Sequence, residues 1–264
     1  MLNIEKIGTP IAKITGGKLD KKIIYLAKDQ DDIDTIEEPF DEINLKTLGG
    51  KFSCLPNPDI EREIIYVFGC SGSGKSTYIS NYIDEWIKKH RDWRIILFSE
   101  VREDSKLDKF HPIRVKLDDA LAGDNFTGED FKDSLVIFDD IEGLDKPLQK
   151  EVVRIMNTIL TTGRHYNTTA LITAHNPSDR NRTKVILQEC HSIVYFPHGS
   201  PPRTIDYVMK DYAGMDQSHV RYCSKKMYRW VHYYKHYPPY ILTDTEIFFN
   251  TKERNKDGSK KIEK

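Results

Sequence analysis

The chain has 264 residues, 38% apolar and 31% charged, with a formal net charge of −1. That length suits one large α/β domain with a modest extension, and the composition is that of a globular protein with a well-solvated surface. No apolar run approaches the ~20 residues of a bilayer-spanning helix, and the opening residues lack the basic-then-apolar layout of a signal peptide.

Four cysteines (Cys54, Cys70, Cys190, Cys223) show no Cys-x-x-Cys spacing, so reduced thiols are expected rather than a disulfide framework. The near-neutral charge hides local runs. Residues 29–42 hold eight acids and no base, and residues 252–264 hold six bases and three acids. Charge alone therefore neither requires nor excludes nucleic acid.

Residues 1–62 read as a leader with short strands at 10–14, 22–27 and 42–45, and the acidic stretch 29–38 as solvated loop. Gly49-Gly50 and Pro56-Asn57-Pro58 form turns and introduce a core over 63–205. Ile64-Ile65-Tyr66-Val67-Phe68 is the short apolar run of a strand covered on both faces. Tyr78, Ile79, Tyr82, Ile83, Trp86 and Ile87 then recur at helical spacing, predicting an amphipathic helix to about Lys89.

Further strands are expected at 94–98, 113–117, 135–138, 169–173 and 192–196, with a helix at 146–160. Such alternation implies an α/β fold with a mainly parallel sheet and right-handed crossovers. Residues 206–250 form a C-terminal extension with late strands at 230–234 and 241–249. Within it, 207–240 carry nine Tyr or Trp, six Lys or Arg and two acids. Residues 251–264 are expected to be a disordered basic tail.

The most specific pattern is Gly69-Cys70-Ser71-Gly72-Ser73-Gly74-Lys75-Ser76-Thr77, lying between the first core strand and the first helix. Glycines let the backbone curl so that successive N–H groups face phosphate oxygens. The helix N-terminus adds free N–H groups and partial positive charge. Lys75 is placed to reach the β- and γ-phosphates and the Ser76 hydroxyl to ligate Mg²⁺.

Leu135–Phe138 delivers Asp139-Asp140 to the sheet edge where ligands of open α/β folds gather. Asp139 is the expected Mg²⁺ ligand and Asp140 the group that polarises the attacking water, with Glu142 competing for that role. Asp140 and Glu142 would equally suit the N-terminus of the next helix. Thr169–His175 ends a third strand, and His175 or Asn176 fits a γ-phosphate sensor. The same Asn-Pro-Ser would serve as a plain turn. Arg164, in Thr162-Gly163-Arg164-His165, suits a helix C-terminus or an arginine finger acting on a neighbouring subunit. Arg180, Arg182 and Arg203 compete for that second role.

Gly-Cys-Ser-Gly-Ser-Gly-Lys-Ser, Phe-Asp-Asp, Thr-Gly-Arg-His and Leu-Ile-Thr-Ala-His-Asn-Pro-Ser follow one another in the order of the FtsK/HerA superfamily of DNA-pumping ATPases. Over about residues 60–200 the chain resembles especially the genome-packaging branch of poxviruses and other large DNA viruses. One departure stands out: the sensor position, usually glutamine in that group, is His175 here.

The resemblance implies a RecA/ASCE-like P-loop NTPase core and ATP as the nucleotide, with Mg²⁺. It also implies a homo-oligomeric ring, usually of six subunits, that threads double-stranded DNA. The expected partner is a capsid or portal-vertex protein, and the expected place the host cytoplasm (a virus factory) or the virion. Arg221, Lys225, Lys226 and Arg229 would meet DNA phosphates without reading sequence, or form a solvated rim over aromatic core. Two other classes remain open: a ring or assembly motor of the conjugation or filamentous-phage kind, and a P-loop small-molecule kinase.

Overall fold

The computed structural model describes residues 1–118, 121, 125–177 and 180–251, without the side chains of 180–182. The basic tail expected from 251 onward thus lies, beyond its first residue, outside the described residues, as does Ser178.

The leader forms β1 (Leu2–Asn3), β2 (Thr9–Thr15), β3 (Ile23–Leu26), a short helix α1 (Gln30–Asp34), β4 (Glu42–Asn44) and β5 (Lys51–Cys54). The core then runs through β6 (Ile64–Phe68), α2 (Lys75–Lys89), β7 (Arg94–Ser99), α3 (Ser105–Asp108), β8 (Ile113–Arg114) and β9 (Ser134–Asp139). It continues with α4 (Lys146–Thr162), β10 (Thr168–Ala174), α5 (Arg180–Glu189) and β11 (Ser192–Tyr195). Last come α6 (Pro202–Ile205), α7 (Gln217–Lys225), β12 (Val231–Tyr234), β13 (Tyr240–Thr243) and β14 (Glu246–Phe249).

A four-stranded antiparallel sheet has the order β1-β3-β2-β5. A ten-stranded sheet has the order β4-β14-β13-β12-β11-β6-β10-β9-β7-β8. From β11 to β8 its neighbours pair parallel, and from β12 to β4 they pair antiparallel.

Strand β6 shows why the run 64–68 had to be buried on both sides. Ile64, Tyr66 and Phe68 enter the core shared with α4 and α5. Ile65 and Val67 enter the opposite core, with α2 and the small sheet. Alternation with period two sends successive side chains to opposite faces, and both faces are covered. The stripe Tyr78, Ile79, Tyr82, Ile83 and Trp86 is buried against that second core, so the leader's sheet roofs the helix behind the phosphate loop.

Helix α4 starts at Asp145, whose carboxylate accepts the Leu148 N–H at 2.9 Å, with Pro147 in the first turn. A carboxylate cap followed by proline is a strong start signal. The cap is therefore Asp145, and Asp140 and Glu142 are not consumed by it.

Three expectations need correction. The acidic stretch 29–38, expected as loop, carries the short helix α1 (Gln30–Asp34). The strand expected at 113–117 is only two residues long at the sheet edge. The strand expected at 241–249 is a hairpin, because Thr243 Oγ1 accepts the N–H groups of Thr245 and Glu246 at 3.2 and 2.8 Å and turns the chain. Among the described residues, no helix is long and apolar enough to cross a membrane.

Candidate nucleotide site

Strands β6, β9 and β10 are parallel and in register: Phe68 pairs with Ala174, and Phe138 with Ile172. The residues that follow them therefore emerge at one edge of the sheet. Three stretches far apart in sequence, the loop 69–77, Asp139-Asp140 and His175, arrive together for that reason.

In the loop, Gly72 (φ +74°) and Gly74 (φ +112°) hold left-handed backbone, which costs glycine little. Gly74 precedes the first residue of α2, Lys75, so the N–H groups of the first turn open toward the loop. Ser76 and Thr77 are half-buried there, while Cys70 and Ser71 are exposed.

Lys75 is buried, and its Nζ donates to the carbonyls of Gly69 and Cys70 at 2.9 and 3.4 Å. It also stands 3.2 Å from His175 Nδ1 and 3.9 Å from Asp140 Oδ1. His175 Nε2 lies 2.9 Å from Asp140 Oδ2. An ammonium only donates, so Nδ1 must accept and the ring proton sits on Nε2, donating to Asp140.

Asp139 is buried and accepts from Thr173 Oγ1 at 3.0 Å and Ser99 Oγ at 3.2 Å. Burial, followed by the neighbouring Asp140 charge, raises its pKa above the usual carboxylate value despite those hydrogen bonds. Asp140 sits at φ +50°, an uncommon region for a side-chain-bearing residue. Its N–H donates to Thr173 Oγ1 at 3.0 Å, and that oxygen lies 3.3 Å from Asp140 Oδ1. Thr173 thus ties both aspartates to β10. Neither Thr173 nor Ser99 was anticipated, because each role needs the strand register.

The other expected residues are placed as follows. The exposed Glu142 accepts the His175 backbone N–H at 3.1 Å and so supports the turn, while Asp140 is the carboxylate that meets Lys75 and the imidazole. Arg164 stands on the turn Gly163–Tyr166 just before β10, paired with Glu61 at 3.5 Å, both exposed. That is the sheet edge opposite the loop, about 20 Å away along a seven-residue strand, so Arg164 cannot reach its own loop.

Arg203 is exposed on α6, and the side chains of Arg180 and Arg182 lie outside the described residues. Arg221 and Lys225 are both exposed on α7, one turn apart. Lys226 and Arg229 follow α7 on the connection to β12, with Lys226 Nζ 4.7 Å from the centroid of the Tyr222 ring.

Among the described residues, no cluster of three or more His, Cys, Asp or Glu side chains could hold a metal. Mg²⁺ does not need one, because it takes one or two protein oxygens and completes its shell with phosphate oxygens and water. The Ser76 hydroxyl and the Asp139 carboxylate are oxygen donors that fit it.

No protein-family model matches the chain. In overall shape it is similar to the pCW3 conjugation coupling protein TcpA, in its monomer form with ATPγS. That likeness has a TM-score of 0.50 at 15% identity and covers 92% of this chain and 78% of that one. It is also similar to B204, the DNA-packaging ATPase of Sulfolobus turreted icosahedral virus, with a TM-score of 0.48 at 15% identity over 70% of this chain and 98% of that one. The fold is that of the P-loop NTPases, as the motifs led one to expect. The uncharacterized protein V3 of Sputnik virophage is 36% identical over 244 residues, which cover 91% of this chain and 95% of that protein. With that identity across nearly the whole of both sequences, the chain belongs to the family of Sputnik virophage protein V3.

Proposed function

We propose that this chain is an ATP-hydrolysing translocase that works as a ring of subunits and packages viral double-stranded DNA into a capsid. The observation that carries the reading is the division of the site across the sheet. Lys75, Asp140 and His175 meet at one edge, no pair farther apart than 3.9 Å, while Arg164 waits at the other. A ring lets Arg164 of one subunit meet the γ-phosphate held by its neighbour, a contact worth large rate factors in P-loop enzymes. The order of the motifs supports DNA as cargo and a ring of usually six subunits. The virophage relative supports a viral setting; a capsid or portal vertex as partner, and a place in the host virus factory or the virion, follow from the resemblance of the motifs.

In the mechanism, Lys75 leaves the Gly69 carbonyl and His175 and turns to the β- and γ-phosphates. Asp140, oriented by the His175 Nε2–H and by Thr173, takes the proton of the attacking water. His175 keeps its Nε2–H on Asp140 and so holds that carboxylate toward the attacking water as Lys75 moves away. Ser76 and Asp139 would hold Mg²⁺, which neutralises charge on the phosphate oxygens. Arg221 and Lys225 are the proposed DNA phosphate contacts. Lys226 and Arg229 stand closer to the nucleotide edge.

The test is the ATPase rate with and without double-stranded DNA. Stimulation by DNA of any sequence is expected. No stimulation by any DNA, together with phosphate transfer to a small acceptor, would refute the translocase and leave a kinase.

A further inference from the structure

The groups that act on the γ-phosphate, Asp140 and His175, all come from β9 and β10, on one side of β6. A triphosphate in the loop with its γ end there must send its nucleoside to the other side of β6. That side belongs to β11, which pairs with β6, and to β12, which pairs with β11. Tyr195 is opposite both Phe68 and Val231. The chain leaving β11 and the chain entering β12 therefore both lie at the nucleotide edge.

Both connections are fastened to the loop. Gly199 O accepts the Cys70 N–H at 2.7 Å. His198 Nε2 is 3.0 Å from the Lys226 carbonyl, which joins the two connections. Trp230 packs edge-on against Tyr78, in the first turns of α2, with ring centroids 5.1 Å apart. Two features on this rim lack a partner. Met227 is 86% exposed, an apolar thioether left in water. Ser73 Oγ and Ser200 Oγ are buried without a hydrogen-bond partner, a cost that a native fold rarely carries without a ligand or water to relieve it.

We propose that Pro197–Ser200 and Lys226–Arg229 form the nucleoside wall of the site, with the flat face of a purine lying on Met227 and the sugar beside Ser200. A polarisable thioether suits a purine face. This wall rests on the reading of the loop as an ATP site. It turns part of the basic-aromatic extension into a nucleotide contact.

Calorimetric titration of the full chain with Mg-ATP and with Mg-tripolyphosphate tests it. Met227→Ala is expected to weaken ATP binding by roughly five- to tenfold and to leave tripolyphosphate within twofold, while Met227→Phe keeps ATP. Equal weakening of both ligands, or no change in either, overturns the wall. Unchanged ATP binding with lost DNA affinity overturns it in favour of a DNA contact. A wild-type chain that binds ATP no better than tripolyphosphate removes the wall and leaves the loop standing. A chain that binds neither removes both.

Discussion

Gly199 is a position from which the phosphate loop can be disturbed from outside. A Cβ added there would lie 2.7 Å from Ser73 Cβ and 3.4 Å from Cys70 Sγ. Carbon atoms prefer roughly 3.5–4.0 Å, so the first contact is far too close, and Ser73 Cβ is rooted in backbone and cannot swing away. The segment is also held by the 2.7 Å bond from the Cys70 N–H to Gly199 O.

Relief must come from moving the loop. Overpacking of this size costs about 1–3 kcal/mol, and each 1.4 kcal/mol is tenfold in affinity. Gly199→Ala should therefore weaken Mg-ATP about five- to 150-fold, measured by calorimetry, with the sheet still folded by circular dichroism. Adding Ser73→Gly removes the opposing carbon and should recover most of the loss, a coupling that a double-mutant cycle isolates. ATP affinity within twofold of wild type in folded Gly199→Ala, or no recovery in the double variant, would refute the reasoning.

Lys75→Ala should lower turnover at least ~10²-fold, read as phosphate release. Asp140→Asn should lower kcat by ~10²–10⁴ with ATP affinity nearly unchanged, whereas a matching loss of affinity would count against its role as base. Rings mixed from Arg164→Ala and Asp140→Asn subunits should regain part of the ATPase rate, and mixtures that stay dead would exclude Arg164 as the finger.

Glu63 gives a pH prediction. Burial, opposed by the Tyr82 and Asn57 hydrogen bonds and the Lys89 charge, raises its pKa from 4.5 to about 7. The protonated form is favoured in the fold, so this stability is fully present below about pH 4.5 and is lost as pH rises through 7. The loss amounts to about 3 kcal/mol. Urea melts of Glu63→Gln should lack this slope between pH 5 and 8, and an unchanged slope would assign it elsewhere.

The phosphate loop and the aspartates were legible because their chemistry is local. Strand, glycine turn and helix follow within one stretch, and an apolar strand must end in its carboxylates at the ligand edge. Thr173 and Ser99 were not legible, because a hydroxyl in an apolar strand says nothing until register sets it beside Asp139. The same holds for Gly199 and Met227, which reach the site only because β11 pairs with the loop strand and β12 pairs with β11. The leader's strands were readable, but their roofing of α2 was not, since two-sided burial of that helix leaves no separate mark in its periodicity. The split of 241–249 turned on one Thr243 hydroxyl, which competes with the strand ladder in a way that apolar runs conceal.

The outer edge of the large sheet has a consequence for how the molecule is made. Strand β4 has no neighbour until β14 arrives, and Asn44 Nδ2 bonds Glu246 Oε1 at 2.8 Å across 202 positions. Lys46, Tyr222 and Tyr228 also converge on that buried carboxylate. A chain emerging from the ribosome in order cannot dock β4 until residues 246–248 have been synthesised, about 200 positions later. Closure of the sheet is thus a late, long-range event. A protein truncated before residue 246 would leave β4 without its strand partner.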